Sequence, residues 1–212
     1  MAVQQSRRNF LGSALYACAT AALVQAQPFI TARGLLAAAQ AATPDLTRDT
    51  INGLLAFVLP GSDVYSVAQG MSTADQGGVD AGATEIFVQT IDESTPFIPS
   101  FSAQVAAILN GLAQSVNPGG GGTLISPFAN LSFAQKAAVF QIMDATPALE
   151  LFGGLLPAFA AFFCYSEAGA FDPATRSLTA EPLGWTLCRY TGVADGRDEL
   201  LGYFPGVQHN PH

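Results

Sequence analysis

The chain has 212 residues, half of them apolar and only 11% charged, with a formal net charge of −8. Beyond residue 41 only Arg48, Lys136, Arg176, Arg189 and Arg197 stand against all sixteen acids, a net charge of about −11. Such a balance repels phosphate backbones and anionic lipid surfaces, which excludes nucleic-acid binding and docking on an acidic membrane.

The first segment is the run Ser6-Arg7-Arg8-Asn9-Phe10-Leu11, leading into an apolar stretch that ends at Val24. Paired arginines followed by an aromatic residue, a leucine and a short apolar core make a twin-arginine export signal, carried by Arg7, Arg8, Phe10 and Leu11. The stretch from Phe10 to Val24 falls short of the roughly 20 apolar residues that a spanning helix needs, so a permanent anchor is not expected. Val24-Gln25-Ala26 and Ala39-Gln40-Ala41 are alternative cleavage sites. An ordinary secretory signal, or lipidation at Cys18 within Leu15-Tyr16-Ala17-Cys18, are the competing readings of the same leader. Residues 1–41 are therefore assigned to signal and linker. Residues 42–212 form one domain of ordinary size. Export by this route places the mature chain in the periplasm and requires the twin-arginine translocase.

The mature chain reads as all-α, with about five helices. Thr43-Pro44-Asp45 is a helix start, and Ile51, Leu54, Leu55 and Val58 then recur at helical spacing until Pro60-Gly61. Residues 61–80 are polar and glycine-rich and read as a long loop of the kind that binds a ligand or partner. A second helix carries Ala83, Ile86, Phe87, Thr90 and Ile91. Pro96 and Pro99 separate it from a third, with Phe101, Val105, Ile108, Leu109 and Leu112. Asn117-Pro118 and the glycines 119–122 form a break. No strand precedes it and no lysine follows, so the glycines are a linker and not a phosphate loop. Ser132 and Gln135 have the spacing of a capping box for a fourth helix bearing Phe133, Ala137, Phe140 and Met143. The stretch 148–165 is the most apolar of the mature chain and reads as a buried central helix, kinked or divided at Pro157. From about residue 166 the pattern dissolves into an extended arm.

Chemistry-bearing residues are few. His209 and His212 sit within the last four residues, where chain ends fray. Asp92 and Glu93 are neighbours on a helix and so face different ways, which reads as a solvated edge. Asp195, Arg197, Asp198 and Glu199 read as a charged turn. Asn130-Leu131-Ser132 matches a glycosylation sequon, read as chance. Once the leader is gone, two cysteines remain, Cys164 and Cys188. They have three arrangements open to them: a bridge to each other, bridges to a partner, or two separate buried thiols. No catalytic constellation, cofactor motif or metal-ligand spacing emerges.

Three stretches carry a family resemblance. They are Leu54-Leu55-Ala56-Phe57-Val58-Leu59-Pro60-Gly61, then Gly77-Gly78-Val79-Asp80-Ala81-Gly82-Ala83, and finally Gly184-Trp185 with Tyr190-Thr191-Gly192-Val193 and Gly202-Tyr203-Phe204-Pro205-Gly206. With the leader, they resemble the gluconate 2-dehydrogenase subunit 3 family. Its members are small subunits of periplasmic flavoprotein dehydrogenases whose large subunits are of the glucose-methanol-choline type. The resemblance implies a non-catalytic partner that lends its export signal to an FAD-loaded large subunit, in a complex that passes electrons to a cytochrome c subunit or another acceptor. It implies contact surfaces in the 61–80 loop and around Trp185, Tyr190, Tyr203 and Phe204, with Trp185 equally able to serve as a core residue. A self-sufficient exported enzyme and a periplasmic ligand-binding helical protein are the alternatives.

Overall fold

The computed structural model describes residues 43–95, 98–167, 170–172 and 174–189. The domain is all-α: seven helices and one two-stranded sheet among the described residues. Five long helices occupy the segments that the periodicity marks. They are α1 (Pro44–Val58), α3 (Ala83–Ser94), α4 (Phe101–Val116), α5 (Phe133–Ala145) and α6 (Glu150–Tyr165). The short α2 (Val64–Ala68) lies inside the 61–80 stretch, and α7 (Leu183–Cys188) lies in the C-terminal arm.

The centre of the fold is α1, which packs against α2, α3, α4 and α6. It starts as its sequence predicts: the Thr43 hydroxyl accepts from Leu46 N at 3.2 Å and Pro44 occupies the first turn. Ile51, Leu54, Leu55 and Ala56 are fully buried. Val58 is only partly covered and packs at the edge of the core. Gly53 lets the chain around Ala129 approach: a Cβ there would stand 2.8 Å from the Ala129 Cα. Phe57 stacks on Phe140 of α5 with centroids 5.2 Å apart, while Phe87 of α3 meets Phe163 of α6 edge-on.

The start of α4 shows what Asp92 does. Ser100 precedes the helix with a left-handed backbone (φ 51°) and gives no side-chain cap. Asp92, from the last turns of α3, accepts from Ser102 N at 2.7 Å and from the Ser102 hydroxyl at 2.8 Å. The expected solvated edge is therefore right for Glu93, an exposed residue bonded to Gln89, and wrong for Asp92, which joins two helices. The capping box at α5 forms as predicted, with Ser132 N on Gln135 Oε1 at 3.0 Å and Gln135 N on the Ser132 hydroxyl.

Two further expectations are corrected in the last third of the chain. First, α6 is not the buried centre. Leu149, Phe152, Leu156, Ala160, Phe163 and Cys164 face the core, whereas Leu151, Phe162 and Tyr165 are exposed. The helix also runs continuously through Pro157. An all-apolar sequence hides which face is buried, because no polar stripe marks the outside. Second, the arm is not wholly extended. Phe171–Asp172 pairs antiparallel with Ser177–Leu178, and the Asp172 carboxylate accepts from Ala174 N and the Thr175 hydroxyl across the turn. Then α7 lies against the end of α6, where Gly184 leaves no room for a Cβ: one would stand 2.5 Å from the Tyr165 carbonyl oxygen. Two-residue strands and a six-residue helix are too short to leave a periodic signal.

Candidate functional site

The stretch expected as a loop is a built platform. Its two ends meet glycine to glycine: a Cβ on Gly77 would stand 2.5 Å from Gly61 N and 2.7 Å from the Leu59 carbonyl oxygen. Gly78 N donates to Leu59 O at 3.0 Å and Thr73 N donates to Gly61 O at 2.9 Å. Asp80 fastens the junction, its Oδ2 accepting from Ser62 N at 2.9 Å, the Ser62 hydroxyl at 3.2 Å and Gly77 N at 3.2 Å. Two of the three stretches that carry the family resemblance thus touch each other in space.

Inside this closed stretch Asp63 starts α2. Its Oδ1 accepts from Tyr65 N and Ser66 N, both at 2.9 Å, and its Oδ2 from the buried Ser66 hydroxyl at 2.7 Å. The Ser66 oxygen in turn accepts from Gly61 N at 2.9 Å. Tyr65 donates its hydroxyl to the buried Asp49 at 2.7 Å, and burial raises the Tyr65 pKa. Asp49 also accepts from Ser126 N at 2.7 Å. From there a polar layer of Thr50, Asn110 and Ser126 continues between α1, α4 and the chain before α5. Among the described residues no buried side-chain nitrogen or oxygen lacks a hydrogen-bond partner.

Lys136 holds the platform from below. It is fully buried on α5, donating to Gly53 O at 2.9 Å and to Gln69 Oε1 at 2.9 Å, with its ammonium 5.5 Å from the centre of the Phe128 ring. Gln69 ends α2, and its Nε2 reaches Ala56 O at 2.7 Å while its carbonyl accepts from Phe133 N. One lysine therefore ties together α1, α2 and α5. Burial drives its pKa down to about 7, against an opposing pull from the Asp63 charge. A neutral amine near pH 7 is a competent base, but this one is sealed from solvent, so its role is to hold the platform.

Three large apolar side chains stand in water on the platform. Val64 is 64% exposed, Val67 61% and Met71 47%, two of them one turn apart on α2 and the third just after it. The acids beneath or beside them (Asp49, Asp63 and Asp80) are committed to backbone or hydroxyl donors. The arrangement presents these three apolar side chains on a segment fastened by hydrogen bonds.

The other predicted residues are scattered. Trp185 is half-buried on α7, between a core and a surface residue. Cys164 is buried and Cys188 exposed, and both are free thiols. Burial pushes Cys164 up to about 11, which leaves it unreactive. The Asn130 side chain of the sequon is occupied, bonded to Leu124 N, Leu124 O and Ser126 O. Beside it Asn117, Pro118, Gly119 and Gly120 line a shallow groove of about 390 Å³. Arg7, Arg8, Phe10, Leu11, Tyr190, Tyr203, Phe204, the Asp195–Glu199 cluster and both histidines lie outside the described residues. Among the described residues no three His, Cys, Asp or Glu side chains gather as metal ligands, and no helix is long and apolar enough to cross a membrane.

No family model, curated protein or solved structure matches this chain. The site is therefore read from its geometry. Sequence reasoning missed Lys136, Gln69 and Asp63. Lys136 did carry a signal: it sits on the apolar stripe with Phe140 and Met143, where a charge has to be buried. Ser62-Asp63 before Val64 was a capping signal of the ordinary kind.

Proposed function

We propose that this chain is a non-catalytic small subunit and export escort of a periplasmic FAD-dependent dehydrogenase of the glucose-methanol-choline type. It supplies the twin-arginine signal through Arg7, Arg8, Phe10 and Leu11, and its folded domain stabilises the large subunit. The large subunit holds the FAD and selects the substrate. Electrons leave the complex through a cytochrome c subunit or another acceptor.

The observation that carries this reading is the α2 platform. Two valines more than 60% exposed, with Met71 beside them, stand on a segment fastened by Asp63, Asp80, Gln69 and Lys136. Large apolar side chains held rigidly in water favour a partner that covers them. Stiffness matters here, because a preorganised surface loses little conformational freedom on binding. The resemblance supports the same reading, since the segments that carry it, Pro60-Gly61 and Gly77-Gly78-Val79-Asp80, are those that close the platform.

The test is co-purification. Tagged chain should bring down a flavin-containing polypeptide in a fixed ratio, and Val64→Asp with Val67→Asp should abolish that association while leaving the melting temperature of the small chain within a few degrees. Undiminished flavoprotein binding by the double variant would remove the platform from the interface. A monodisperse, flavin-free monomer from native cells would overturn the escort reading itself and favour a self-sufficient enzyme.

A further inference from the structure

The exposed side chains of α2 stand in a stretch of chain that carries acids alone. From Asp49 to Gln135 the sequence holds seven acids and no lysine or arginine. Within residues 61–80, which bear Val64, Val67 and Met71, the charged residues are Asp63, Asp75 and Asp80. The carboxylates of Asp63 and Asp80 accept from backbone amides and from the hydroxyls of Ser66 and Ser62, neutral donors that supply no counter-charge. Among the described residues three bases are exposed. Arg48 is paired with Glu85, Arg189 is paired with Asp75, and Arg176 stands between the two short strands of the arm. Lys136 lies buried beneath α2, and burial lowers its pKa to about 7, so near neutral pH it offsets the acids only in part.

We propose that Val64, Val67 and Met71 dock into an apolar recess of the flavoprotein large subunit whose edge is lined by lysines and arginines. This rests on the escort reading and specifies the partner's side of it. An apolar centre with a polar rim is the ordinary anatomy of a protein interface. On this chain the charges beside the apolar side chains are acidic, so the complementary rim is basic. Apolar contact then holds the pair, while opposite charges speed and orient their meeting. Asp63 and Asp80 suit that role, because hydrogen bonds already hold each carboxylate beside the start of α2 and docking costs them little rotamer freedom.

The rival occupants fit less well. A second copy presents the same acidic stretch and is repelled, as is an anionic lipid surface. A wholly apolar partner surface would cover the valines and the methionine, but it would draw Asp63 and Asp80 out of water without a counter-charge, which is costly.

The test is the rate of association. The full tagged chain, immobilised, meets extract from cells that lack it, and capture of the flavin-containing polypeptide is followed in time at about 10 mM and about 1 M salt. Charges are felt over about 30 Å in the first and about 3 Å in the second. Capture should slow roughly tenfold or more across that range, with release changing much less. Ala68→Lys with Ser72→Lys, at exposed positions next to Val67 and Met71, should slow capture several-fold at low salt. Ala68→Glu with Ser72→Glu, similar in bulk and opposite in charge, should be captured at least as fast as the native chain, and the two variants should converge at high salt. Rates independent of salt, or equal for the lysine and glutamate variants at low salt, would overturn the basic rim and leave the escort reading standing. Failure of the native chain to capture any flavoprotein at either salt would overturn both.

Discussion

Lys136 has three hydrogen-bonding directions and no carboxylate in contact; its partners are a carbonyl oxygen of α1, an amide oxygen of Gln69 and the face of Phe128. Taking an ammonium out of water with only neutral acceptors to receive it disfavours the charged form, which is why the folded-state pKa falls from 10.5 to about 7. The consequence for stability has a definite sign. The unfolded chain holds the proton up to about pH 10.5, so between 7 and 10.5 unfolding takes up protons and stability rises with pH. Below about 7 the cost of burying the charge is fully present. Urea unfolding between about pH 7 and 9.5 should show the native chain gaining up to ~1 kcal/mol per pH unit over Lys136→Met, which has no proton to lose. Parallel pH profiles for the two proteins would show that Lys136 is not the titrating group. The residue was legible in part: its place on the stripe with Phe140 and Met143 pointed to burial. Its partners, Gly53 and Gln69, lie 83 and 67 residues away in sequence, and no local pattern could name them.

At the scale of elements, the five long helices were legible because each has enough turns for the period to repeat and a recognisable start or stop, such as Thr43-Pro44 or the Ser132–Gln135 box. What escaped was shorter or less polar. α2 has five residues and depends on Asp63, Ser66 and Gly61 acting together. α6 carries almost no polar residues, so its sequence could not say which side faces water. The platform has a corresponding weak point in its paired glycines. Gly77→Ala would push a methyl group into the backbone at Gly61 and Leu59, contacts that cannot yield without opening the junction. We expect a loss of about 1–3 kcal/mol, with amide exchange accelerating first between residues 61 and 80. Gly121→Ala, at a position with open space around it, should stay within about 0.5 kcal/mol of the native chain. Equal effects at the two positions would mean that the close approach does not hold the loop.

The molecule as a whole combines a strongly acidic balance with an exterior poor in charge, and its buried polar groups are used to hold elements in place. Asp49, Asp63, Asp80 and Asp92 each accept from at least one backbone amide, and Lys136 joins three helices. The fold class was readable from the sequence, but the surface was not: exposure of Val64 and Val67 depends on how the 61–80 stretch closes, a contact between residues sixteen apart. In the proposed function that surface and the leader work together, one chain holding a cofactor-loaded partner and carrying its export address. The measurement that tests this most directly is cell fractionation of Arg7→Lys with Arg8→Lys, followed by assay of flavin-dependent dehydrogenase activity and of the FAD-containing polypeptide in each compartment. The account predicts that both accumulate in the cytoplasm together with this chain. Activity still exported to the periplasm, with only the small chain left behind, would contradict it.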